Sequence, residues 1–198
     1  GAMPVIAFGE ADANLIAWLD IWASPIRLDP NWNKGDYYGK TPPNEGLATA
    51  LKIVTLHAQH WDWANKTFGR KWAKEGENPA AGFDKRFQIE TVLDNAGAAR
   101  AKVSDANHFL YLVKANQLFV AGGGTLDEGA KKIKAPVLLI HSPKDLVFPP
   151  GGVDSTAAKL KAAGVSVQQV QLQGDRGHLD GVLNIKQAEG AIRDFLAK

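Results

Sequence analysis

Two stretches of the sequence hold the side chains with the clearest capacity for chemistry. In APVLLIHSPKDLVFPP (135–150) four apolar residues run into a polar turn that carries Asp145, and in VSVQQVQLQGDRGHL (165–179) a second strand-like run leads to His178. Functional groups of open α/β sheets gather beyond the carboxyl ends of the strands. A carboxylate that accepts an imidazole N–H fixes the tautomer and leaves the other ring nitrogen to take a proton from a nucleophile. An aspartate after a strand also commonly serves only to cap a turn, so both uses stand for Asp145. His141, within the end of the first run, is expected to be a hydrogen-bonded structural histidine. His57 and His60 lie three apart in a helical stretch, yet no carboxylate or third histidine completes a ligand set, and no metal site is expected.

The elements that must position these groups follow from periodicity. MPVIAF (3–8) is a short apolar run opened by proline and is predicted as a first strand. From Asn14 to Ile26 the apolar residues Leu15, Trp18, Leu19 and Trp22 have helical spacing that Pro25 interrupts. Residues 28–46 are dense in turn formers, whereas 47–63, 87–93 and 107–119 are helical in pattern. VAGGGTLDEG (120–129) is read as a flexible exit from this helical block. Its glycines are not a phosphate loop, because no strand leads into them and no Lys-Ser/Thr follows. Beyond it come a strand at 137–140, a helix at 154–163 ending at Gly164, a strand at 165–172 and an amphipathic helix at 185–196. Strand, helix, strand, helix with short joins implies an α/β fold with parallel strands and right-handed crossovers. Three segments are expected: 1–25 with the first strand and helix, 26–120 as a helical block, and 121–198 as the C-terminal α/β segment.

The 198 residues, 45% apolar and 22% charged, suit one substantial core, and 23 basic against 21 acidic residues leave no electrostatic footprint for nucleic acid or anionic membrane. No apolar run approaches the roughly 20 residues of a membrane span. The absence of cysteine excludes disulfides and a thiolate nucleophile but fits reducing and oxidising compartments alike, so cytoplasmic and periplasmic locations both stay open. Gly1, Ala2 and Met3 look like the scar of a removed tag.

Five stretches agree in order and spacing with one family: IRLDPNWNKGDYYGKTPPNEGLATALKIVTL, DKRFQIETVLDNAG, SDANHFLYLVKA, APVLLIHSPKDLVFPP and GDRGHL. Together they resemble the C-terminal half of the homoserine O-acetyltransferases, a branch of the α/β-hydrolases, over residues 3–198. The resemblance implies the C-terminal part of an α/β-hydrolase fold carrying a helical lid insertion, with Asp145 as the triad acid and His178 as the triad base. It implies a serine on a Gly-x-Ser-x-Gly elbow upstream of this chain, since none of Ser24, Ser104, Ser142, Ser155 or Ser166 has glycines at that spacing. The chain alone is then expected to be inactive. An unpaired first strand would invite a second copy or the missing N-terminal half, and a non-catalytic fragment that self-assembles is the alternative.

The expected small-molecule partner is an ester or acyl donor, with no cofactor beyond acetyl-CoA as a co-substrate. Arg70, Arg86 and Asp180 are candidates for substrate contact. Trp61, Trp63 and Trp72 serve either an acyl pocket or helix packing. The family's catalytic histidine is followed by an aspartate suited to a substrate amine, whereas Leu179 follows His178 here. That departure points towards ester hydrolysis or transfer to other alcohols.

Overall fold

The computed structural model describes residues 9–197, so the expected first strand at 3–8 and the first three residues lie outside the described residues. The chain divides into two compact units. One is built from the described residues up to Leu15, from Ala58–His60 and from Gln117 onward, and the other from Ile16–His57 and Trp61–Asn116.

The second unit is helical: α1 (Ala13–Leu28), whose body it contains, α2 (Asn44–His57), α3 (Trp61–Thr67), α4 (Gln88–Ala101) and α5 (Ala106–Gln117). Pro25 does not end α1, contrary to the sequence expectation. Proline removes one donor, but Leu19, Ala23 and Ile26 remain on one buried stripe, and the Asp29 N–H closes the last turn on the Pro25 and Ile26 carbonyls. Packing of that stripe outweighs the lost hydrogen bond. The predicted helix at 47–63 is instead two helices, because Ala58, Gln59 and His60 leave the helical path and are buried in the other unit. Gly97 lets α4 lie against α2, where a Cβ would collide with the Ala48 carbonyl oxygen.

The turn-rich stretch 28–46 is ordered by side chains. Asp29 accepts the N–H groups of Asn31 and Gly46, Trp32 Nε1 donates to Asn107 Oδ1 at 3.0 Å, and buried Tyr37 donates to Asp105. Burial opposes ionisation of Asp105, but hydrogen bonds from Tyr37, the His108 N–H and Tyr38 outweigh it and hold its carboxyl below the usual carboxylate range. A carboxyl depressed in the folded state binds fewer protons there than in the unfolded chain. Its contribution is therefore present above the unfolded value of about 3.9 and is lost as pH falls through the folded value. Urea midpoints measured from pH 6 down to 3 should fall in the native chain and fall less in Asp105→Asn. Equal slopes would remove Asp105 from the acid response.

The first unit contains α6 (Leu126–Ala130), β1 (Val137–His141), α7 (Pro150–Ala162), β2 (Val167–Gln171), α8 (Asp180–Leu183) and α9 (Glu189–Leu196). Strands β1 and β2 are parallel, in register from Val137 opposite Val167 to His141 opposite Gln171, with α7 as the crossover. The helix starts four residues earlier than predicted, at Pro150, where a missing N–H costs nothing in the first turn. Its end matches the expectation at Gly164. That residue has φ +84°, its N–H returns to Lys161, and the Val165 N–H returns to Leu160, forming the paired bonds of a Schellman cap. Using the Val165 N–H in the cap delays β2 to Val167. Val165, Leu160 and Ala130 form the buried core beneath β1.

Residues 120–129 are not a flexible exit. Val120 bridges Glu10, Gly122, Gly123 and Gly124 turn the chain in the left-handed region, and Thr125 with Glu128 forms a capping box that starts α6. The predicted last helix divides into a 3₁₀ turn at Ile185–Ala188 followed by α9. Among the described residues no helix is long and apolar enough to cross a membrane.

Candidate active site

The residues after β1 double back in a tight turn in which the Asp145 N–H donates to the Ser142 carbonyl. The Asp145 side chain is buried, and its two oxygens do different work. Oδ1 accepts the backbone N–H groups of Val147 and Phe148, both at 2.8 Å. Oδ2 meets Nδ1 of His178 at 2.9 Å. The turn-capping and imidazole-orienting uses of this aspartate therefore coexist, one on each oxygen. A carboxylate only accepts, so in the neutral imidazole this contact places the ring proton on Nδ1 and the lone pair on Nε2.

His178 follows β2 through the loop 172–176 and sits in a 3₁₀ turn, Gly177–Leu179. Its side chain is 36% exposed, against 8% for Asp145, so the imidazole is reachable from solvent while its carboxylate partner is not. The Phe148 ring stands edge-on to the imidazole, with centroids 5.0 Å apart at 81°. Gly177 makes the approach possible: its φ is +63°, and a Cβ there would stand 2.9 Å from both the His60 nitrogen and the Lys144 carbonyl oxygen. Three backbone segments thus converge beside the histidine.

The other sequence candidates have different fates. Asp180 is fully buried, with its oxygens occupied by Ser142, Asn184 and the Arg176 N–H, so it is not placed to contact a substrate as expected. Arg70 lies in the helical unit with its guanidinium 5.2 Å from the centre of the Phe87 ring. Arg86, in the same unit, pairs with Glu90 at 3.2 Å and Asp94 at 2.7 Å, which makes it part of an ion-pair network. Trp63 packs edge-on against Phe68, while Trp61 and Trp72 are exposed.

His141 is buried as expected, but among the described residues neither ring nitrogen has a hydrogen-bond partner, unlike the satisfied histidine expected from the sequence. His57 stacks on Trp18 with centroids 4.0 Å apart. Among the described residues no group of three His, Cys, Asp or Glu is arranged to hold a metal ion. Sequence reasoning missed Phe148, Ser142 and Gly177. The Asx-turn pattern beginning at Asp145, which the Val147 N–H closes, would have pointed to the adjacent Phe148, whose N–H reaches the same oxygen.

A parallel strand pair joined by a crossover helix, with an acid after one strand and a histidine after the other, is the arrangement of an α/β-hydrolase C-terminal segment. No family model matches the chain. It is 30% identical over 197 residues to a homoserine O-acetyltransferase of Methanohalobium evestigatum, covering 99% of this chain and 40% of that protein. With the homoserine O-acetyltransferase of Deferribacter desulfuricans the identity is 31%, over 99% of this chain and 52% of the relative. Among solved structures, esterase E22 superposes with a TM-score of 0.86 at 38% identity, over 96% of this chain and 52% of the esterase. Homoserine O-acetyltransferases thus align with 99% of this chain, which has the fold of the C-terminal part of an α/β-hydrolase. The chain spans about half the length of these relatives.

Proposed function

We propose that this chain supplies the acid and the base of a serine-dependent acyl-transfer or ester-hydrolysing α/β-hydrolase. The observation that carries the reading is the 2.9 Å contact between Asp145 Oδ2 and His178 Nδ1 at the ends of adjacent parallel strands. His178 Nε2 takes the proton of a serine hydroxyl as that oxygen bonds to the acyl carbon. It then returns the proton to the departing alcohol or thiol. In the second half-reaction it deprotonates the acceptor that releases the acyl group, and Asp145 stabilises the imidazolium in both. The serine belongs to a segment like the N-terminal half of the relatives, supplied by the same polypeptide or by a partner. The helical unit acts as the lid, and a small ester or an acyl donor such as acetyl-CoA is the substrate.

Within this class the reading favours hydrolysis, or transfer to an alcohol without a nearby ammonium. Half-buried Leu179 stands directly after the histidine and offers a cation nothing but an apolar side chain. The greater identity to an esterase than to the acetyltransferases supports the same side.

The test is p-nitrophenyl acetate turnover by the chain alone and together with an N-terminal serine half, with light scattering on each sample. Turnover that requires both halves and disappears in His178→Ala supports the reading; turnover that survives His178→Ala sinks it. In the active sample, Leu179→Asp should shift preference towards an amino-alcohol acceptor by about tenfold, the effect of about 1.4 kcal/mol. An unchanged acceptor ratio would remove Leu179 from specificity.

A further inference from the structure

The turn after β1 and the loop after β2 are joined by more than the Asp145–His178 contact. Lys144 Nζ reaches Asp175 Oδ1 at 2.6 Å, and Ser142 Oγ donates to Asp180 Oδ2 at 3.2 Å. The first of these is a half-exposed ion pair, a type that contributes little because water screens it and two long side chains must be ordered. The second is buried, with Ser142 2% exposed and Asp180 0% exposed.

A carboxylate withdrawn from water is costly unless its oxygens are occupied. Among the described residues no ion pair compensates Asp180, whose hydrogen bonds instead come from dipoles. Besides Ser142, Asn184 Nδ2 donates to Oδ1 at 2.7 Å and the Arg176 N–H to the same oxygen at 3.4 Å. Its own N–H donates to the Gly177 and His178 carbonyls, which closes the 3₁₀ turn that carries the histidine. Ser142 is equally committed on its side, since Oγ accepts the Lys144 N–H at 3.2 Å within the Asp145 turn. Gly174 leaves the room, because a Cβ there would collide with the Asp180 carboxylate. The segment from Gly174 to Leu179 contains two glycines, so its backbone has much freedom to lose, and a buried crosslink on its far side restrains where His178 stands.

We propose that Asp180, gripped by Ser142, is a positioning residue that holds His178 in reach of Asp145. This rests on the reading of Asp145 and His178 as the acid–base pair, but its test needs no turnover. The 198-residue chain is labelled with ¹⁵N-histidine, and the ring signals of its five histidines are assigned with the help of His178→Ala. In the native chain His178 should be the Nδ1–H tautomer with a slowly exchanging ring proton.

Ser142→Ala, which removes one donor and little volume, should speed that exchange about fivefold, the effect expected of one hydrogen bond. Asp180→Ala should mix the two tautomers while the methyl signals of Val153 and Leu160 stay dispersed. Asp180→Asn should restore most of the Nδ1–H form, since its amide keeps an acceptor for Asn184 and offers a donor to Ser142 Oγ. The proposal is overturned if the tautomer and exchange rate are native in folded Asp180→Ala, or, where that variant does not fold, in Ser142→Ala. A native-like pair in an enzyme that tolerates His178→Ala would instead count against the catalytic reading alone.

Discussion

Asp145→Asn should lower acyl transfer by about four orders of magnitude in the protein that combines this chain with its serine half, while leaving the fold intact. The reason lies in the division of labour between the two oxygens. Oδ1 accepts two backbone N–H groups, from Val147 and Phe148, so the only oxygen of an asparagine must occupy that place. Its NH₂ group then faces His178. Two donors cannot share a hydrogen bond, so Nδ1 becomes the acceptor and the ring proton moves to Nε2, the nitrogen that must be free to take a proton from serine. Asp145→Ala is a different experiment, because it also leaves two turn N–H groups unpaired and should destabilise by about 2 kcal/mol. Ester turnover, a melting curve and the His178 tautomer separate these cases. Activity within tenfold of the native level in folded Asp145→Asn would mean that this pair does not do the chemistry.

The second large effect is on stability. Gly177→Ala should cost about 3 kcal/mol, combining about 1–2 kcal/mol for a left-handed alanine with the strain of a Cβ forced against backbone. The φ of +63° and the 2.9 Å approaches to His60 and Lys144 leave no flexible side chain to give way. For a domain of this size that corresponds to roughly 10 °C in Tm. Gly190→Ala is the control: Gly190 lies exposed in α9 and a Cβ there meets nothing within 4 Å, so that variant should gain about 0.5–1 kcal/mol. Equal melting temperatures for the two variants would show that the convergence at Gly177 is not tight.

Much of the α/β segment was legible because its signals are local. Val137 to Ile140, the stop at Gly164 and the acid and histidine after successive strands all follow from short-range chemistry. What escaped is set by partners distant in sequence. The crosslink between Ser142 and Asp180 spans 38 residues and leaves no periodic trace, so Asp180 looked like a substrate contact. Arg86 looked available for a different reason: its partners Glu90 and Asp94 are near in sequence but come within reach only once α4 is formed. Pro25 looked like a terminator because its missing N–H is a local fact, whereas the buried stripe of Leu19, Ala23 and Ile26 that carries α1 past it is a tertiary one. The glycine run before α6 looked loose because glycine permits freedom, while the capping box that follows it removes that freedom.

The three residues Ala58–His60 have a consequence for modularity. The helical unit is not one continuous insert but two, Ile16–His57 and Trp61–Asn116, separated by a short return of the chain into the other unit. A chimera that exchanges residues 16–116 wholesale with a relative would therefore also replace residues 58–60, of which Gln59 and His60 lay their backbone against Gly177. Such hybrids would carry a mismatch at the histidine loop that no change to the helices repairs. Exchange with four junctions, keeping Ala58, Gln59 and His60 native, is the cut that treats the helical unit as a transferable part.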